Sequence, residues 1–80
     1  MEEKNYTIRQ AVRDTLDKIP YDTDFKGYDF LGVCRRNLRI NGNPAQPYDS
    51  TLLRDLRRYR GEYRITVIDR NRSIYHKGAV

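Results

Sequence analysis

From Thr7 onward, Ile8, Val12, Leu16 and Ile19 recur at the three- and four-residue spacing of one helical face. Ala11 and Thr15 lie beside them, and Arg9, Gln10, Arg13 and Asp17 fall opposite. Thr7 and Gln10 have capping-box spacing, each side chain able to accept from the other's backbone N–H. Pro20 stops the run, so the pattern predicts a helix over 7–19. Phe30, Leu31, Cys34 and Leu38 predict a second helix over 29–39, capped by Asp29, with Arg35, Arg36 and Arg39 projecting outward. Gly32 weakens it by ~1 kcal/mol relative to alanine. Leu52, Leu53, Leu56 and Tyr59 mark a third helix, capped by Asp49 or Ser50 and stopped at Gly61. Residues 21–27 read as a short edge strand or extended loop, and 41–47, with two prolines, as loop. Beyond Gly61 the period changes to two. Tyr63, Ile65 and Val67 alternate with Arg64, Thr66 and Ile68, 69–73 form a turn, and 74–77 return as a strand. The predicted domain covers 7–77, between a short arm (1–6) and a tail (78–80).

The fold class expected is α+β. Helix, short extended piece, helix, helix and hairpin, in that order over 7–77, resembles the winged-helix superfamily. The resemblance implies a three-helix core followed by a two-stranded antiparallel hairpin. It also implies a third helix that enters the DNA major groove and a hairpin that serves as the wing against backbone or minor groove. One departure is the connection between the second and third helices, about eight residues against the three or four of a tight helix-turn-helix.

Composition narrows the function classes. Eighty residues suffice for one small core. Seven tyrosines and two phenylalanines, with many aliphatic residues, supply more burial than a disordered chain carries. Charged residues make up 34% and mean hydropathy is −0.93. No apolar run approaches the ~20 residues of a membrane span, and the N-terminal charges do not fit a secretory signal; a cytoplasmic site is expected because secreted domains this small usually carry disulfide staples. One cysteine and one histidine exclude an intramolecular disulfide and a four-ligand Cys/His zinc site.

The net charge of +5 hides an asymmetry. Residues 1–33 carry five basic and seven acidic side chains, whereas 34–80 carry eleven basic and four acidic. Ten of those eleven are arginine, whose planar fork suits phosphate and guanine edges. On a wheel of about 100° per residue with Leu52 at zero, the third helix centres its apolar face near ~30°. Arg57, Ser50, Arg54, Arg58 and Thr51 span about 140–260° on the same wheel, with Asp55 at the edge. Arg54 and Arg58, one turn apart, can each take a phosphate or a guanine edge. Ser50 and Thr51 sit with the free N–H groups of the first turn, where a phosphate oxygen is favoured. Arg70 and Arg72 flank Asn71 at the hairpin tip and suit a minor-groove or backbone probe. The plain alternative is a solvated helix face with an Asp55–Arg58 pair, and arginines that shield a sheet edge, as Arg64 and Lys77 would.

The expectation is a nucleic-acid-binding module that contacts duplex DNA through the third helix and the wing. It would act as a small regulator or accessory factor associated with the nucleoid, without catalysis. The alternative is a winged-helix assembly module, whose acidic and basic halves suit a protein partner or a homodimer. No small-molecule substrate, cofactor or metal is expected. Asp22 and Asp24 lack a third ligand, Cys34 lies on an apolar stripe as a core thiol, and His76 has no partner at readable spacing. There is no glycine-rich phosphate loop or nucleophile elbow. Tyr59 and Tyr63 are expected in the core. Tyr48 and Tyr75 are expected to be exposed, too scattered to make a base-stacking track.

Overall fold

In the computed structural model, which describes residues 6–79, Thr7 caps the first helix as its spacing requires. Its hydroxyl accepts from Gln10 N–H, and the Gln10 side chain accepts from Thr7 N–H. Helix α1 runs Ile8–Lys18 and is followed by β1 (Thr23–Lys26), α2 (Gly27–Ile40), α3 (Asp49–Arg58), α4 (Arg60–Tyr63), β2 (Ile65–Asp69) and β3 (Ile74–Lys77). The arm expected over 1–6 lies outside the described residues except for Tyr6, which donates to Asp14 Oδ2 at 2.5 Å. The fold is α+β, with four helices and a three-stranded antiparallel sheet among the described residues.

The expected two-stranded hairpin is therefore one strand short. The sheet order is β1-β3-β2, with Thr23 opposite Lys77 and Lys26 opposite Ile74. The 21–27 segment alternates over too few residues to declare a strand alone. Its partner lies some fifty residues downstream, and Phe25 stacks on Tyr75 with ring centroids 5.6 Å apart. Tyr75 is accordingly buried, against expectation, while Tyr48 is exposed as expected.

Two expected caps are replaced by tertiary contacts. Helix α2 begins at Gly27 with no side-chain cap, leaving Asp29 in its first turn. A Cβ on Gly27 would lie 3.0 Å from the Tyr75 ring and 3.2 Å from Ser73 Cβ, so glycine lets the helix start press against the hairpin. Its N–H donates to Ser73 O at 2.7 Å. Helix α3 follows Tyr48, again without a side-chain cap, and neither Asp49 nor Ser50 serves as one. Asp49 instead pairs with Arg35, which also donates to Pro47 O.

Gly61 does not end the third helix. The chain leaves α3 at Arg58, turns at Tyr59 and makes one further helical turn that contains Gly61. Arg64, in the left-handed region at φ 55°, reverses it into β2, so Tyr63 is helical rather than extended. Tyr63 still reaches the core, alongside Val12, Leu16, Phe30, Leu52 and Leu56, with Tyr59 packed against them. Between α1 and α2, buried Asn37 donates to Thr15 Oγ1, which donates to Ala11 O. In β2, Ile65 is buried, but Val67 and Ile68 are more than half exposed around a bulge between Val67 and Asp69.

Lys77, expected to shield an edge, sits on the middle strand with 1% of its surface exposed. Its ammonium donates to Leu16 O and Ile19 O, both at 2.7 Å, and lies 4.3 Å from the Tyr21 ring centroid. The last carbonyls of a helix lack intrahelical donors and carry its negative dipole end. The buried cation is thus satisfied by the C-terminal carbonyls of α1, Ile19 O and Leu16 O, the latter also accepting from Ile19 N–H. Replacing it by methionine keeps most of the volume, removes both charge-assisted hydrogen bonds and takes the ammonium donor from Ile19 O. Lys77→Met is expected to lose about 2 kcal/mol of stability and about 10 °C in Tm, measured by circular dichroism. An unchanged Tm would show that the ammonium does not hold this joint.

Candidate nucleic-acid interface

The turn at Tyr59 carries the cationic surface of α3 onto α4. Arg57 and Arg60 stand along one wall of a cleft of about 760 Å³, and Arg70 of the β2–β3 turn also lines it. Val67 adds half-exposed apolar surface to the lining, and the buried Leu56 and Ile65 border it. All three arginines are exposed, and none is ion-paired among the described residues. Arg13 of α1 braces the wall. It pairs with Glu62 at 2.6 Å and lies 5.1 Å from the Tyr59 ring centroid. Tyr63 donates to Asp17 Oδ1 at 2.6 Å, and burial first, then this bond, push its hydroxyl up to about 12.

The other expected residues are arranged less tightly. Arg54 is exposed on α3 without an ion partner among the described residues. Arg58 leans on Asp55 at 3.9 Å, and Asp55 is buried although its wheel position is only at the edge of the apolar face. Arg72 lies 3.8 Å from Asp69 Oδ2, with its own N–H donating to Asp69 Oδ1. Both pairs are long and their arginines largely exposed, so neither withdraws its guanidinium from an anionic ligand. Ser50 is exposed at the opposite end of α3, near Gln46 and the Arg35–Asp49 pair. Thr51 is half-buried, and its N–H donates to Tyr48 O at 3.0 Å. The first turn of α3 therefore offers the Ser50 hydroxyl rather than the Thr51 amide.

Arg57 and Arg70 are thus brought together, and Arg60 joins them. Arg60 is missed because an unbroken helix to Gly61 sets it near ~80° on the wheel, on the apolar side. The signal available for it was the arginine density of 57–60, which spacing alone does not assign to a wall.

Cys34 is buried, and burial pushes its thiol up to about 11, away from a reactive thiolate. His76, expected to lack partners, has two. Its Nδ1 lies 2.6 Å from Asp24 Oδ1, the residue opposite it in the sheet, and its Nε2 lies 3.2 Å from Asp22 Oδ1. The carboxylates occupy opposite ring nitrogens, an arrangement for an imidazolium rather than a metal. No group of three or more potential metal ligands occurs among the described residues.

The bond to Asp24 raises the His76 pKa above its ordinary value, and the charges of both aspartates add to this against partial desolvation. A raised folded-state pKa means that the folded chain holds the proton more tightly than the unfolded one. The stabilisation is complete below the ordinary histidine value of about 6.5 and is lost as pH rises through the higher folded value. Tm is expected to fall over that window in the wild type, and Asp24→Asn to flatten the fall. Equal slopes would show that the Asp24 bond does not set it.

No protein-family model, curated protein or solved structure matches the chain.

Proposed function

We propose that this chain is a winged-helix-like module that binds duplex DNA, with α3 as the recognition helix and the β2–β3 hairpin as the wing. The observation that carries the proposal is the meeting of arginines from α3, α4 and the hairpin turn around one cleft, without carboxylate partners among the described residues. An α-helix is about 10–12 Å across with its side chains, a size that lies in a major groove ~12 Å wide. Arg54, Arg57 and Arg58 contact the groove and its phosphates, Ser50 and Thr51 the backbone at the start of α3, and Arg70 and Arg72 the wing contact. Affinity comes chiefly from released counterions, and guanine contacts supply whatever sequence preference exists. The role is that of a small regulator or accessory factor on cytoplasmic, nucleoid-associated DNA, with no catalytic step.

A second reading, a protein-assembly module, draws on a different surface. Tyr28 is 84% exposed and Val33 is also exposed on α2, where Val33 borders an apolar cleft lined by Ile19, Phe25 and Phe30. The two readings separate in one titration series. The Arg54→Ala/Arg58→Ala double variant is expected to lower the slope of log affinity against log salt for a random duplex by about one to two units. Unchanged binding, or no wild-type affinity at ~50 mM salt, overturns the DNA reading. A DNA-independent oligomer whose contacts map to Tyr28 and Val33 supports assembly.

A further inference from the structure

We infer that the cleft between α3–α4 and the hairpin seats one sugar–phosphate strand of the DNA, with Arg60 of α4 acting as a phosphate clamp alongside Arg57 and Arg70. This rests on the DNA reading and adds to it a strand path and a residue outside the recognition helix and wing.

The cleft has two chemistries in one place. Its three guanidinium groups come from three separate elements, so the cationic rim is a product of the tertiary fold and not of one helix's periodicity. The same cleft offers apolar surface, chiefly from Val67, while Leu56 and Ile65, which also line it, are buried. Val67 pairs with Tyr75, whose side chain is buried, yet Val67 itself is 52% exposed. A lone phosphate has no use for apolar lining. A sugar–phosphate strand alternates anionic groups with the C–H faces of deoxyribose, and so satisfies both parts. With α3 in a major groove and the hairpin at the neighbouring minor groove, the strand that separates the two grooves passes between these elements. The arginine wall is also set in advance. Arg13 holds Glu62 and Tyr59, and Tyr63 holds Asp17, so α4 is pinned to α1 on both sides of Gly61. Ordering Arg60 on binding then costs less than ordering a free loop.

The test measures binding of a random duplex across a salt series for the wild type, Arg54→Ala, Arg60→Ala, Arg60→Lys, Val67→Asp and Arg36→Ala, the last an exposed α2 arginine that does not line the cleft. Arg60→Ala is expected to lower the salt slope by about 0.9, the value of one lost phosphate contact. Arg60→Lys retains the slope, Val67→Asp weakens binding several-fold with an unchanged circular dichroism spectrum, and Arg36→Ala behaves as wild type. In a parallel NMR titration, the Ile65 and Val67 methyl groups shift with duplex and not with tripolyphosphate. If Arg60→Ala keeps the full slope while Arg54→Ala loses it, the strand runs over α3 without entering the cleft; this inference falls and the DNA reading stands. Equal methyl shifts with tripolyphosphate or with polyglutamate also overturn the inference, since the site would then take free polyphosphate or an acidic polypeptide. Absence of wild-type duplex binding removes the DNA reading itself.

Discussion

The architecture depends on one buried ammonium. Lys77 stands on the central strand, between β1 and β2, and donates to the last carbonyls of α1. A lysine is rarely fully buried without partners, and here the partners are carbonyls at the C-terminal end of α1, where the helix dipole favours a cation. The strand that carries Lys77 also pairs with both other strands, so this contact, with the Gly27–Ser73 bond, relates the hairpin to the helical layer. Tyr63 lies 5.3 Å from the same ammonium by its ring centroid and bonds Asp17 through its hydroxyl, which brings α4 into the joint. The position of the hairpin relative to α3 and α4, and with it the width of the arginine-lined cleft, follows from this packing.

Much of this was legible in the residues, and the limits are physical. Helix α1 is readable because its cap, apolar stripe and terminator all act within twenty residues. The other helix starts are not, because Gly27 is fixed by Ser73 and Tyr75 and Asp49 by Arg35, contacts between segments far apart in the chain. For β1 the residues leave an edge strand or a loop open, and only pairing with a strand near the other end of the domain makes it the edge strand. Lys77 shows the limit most sharply. By type and position it resembles an edge-protecting charge, and only the sheet order reveals that it lies inside.

The candidate site divides along the same line. The arginine face of α3 follows from helical periodicity, and the arginines at 70 and 72 from the turn between two alternating segments. What periodicity does not convey is which arginines share a cleft. The turn at Tyr59 decides that, bringing Arg60 beside Arg57, while the side-chain pairs Asp55–Arg58 and Asp69–Arg72 draw two of the expected residues partly toward their own elements. The charge asymmetry of the chain thereby becomes a surface with a shape. Its cationic groups are held on a braced scaffold, and its acidic groups in β1 and the preceding turn are engaged by His76.

The most direct test is an isotope-edited NMR titration of the full chain with a random DNA duplex at low salt. Saturable shifts concentrated in residues 50–60 and 65–72 are expected, with α1 and the outer face of α2 unmoved. Shifts confined to α1 and α2, or none at all, would contradict the DNA reading.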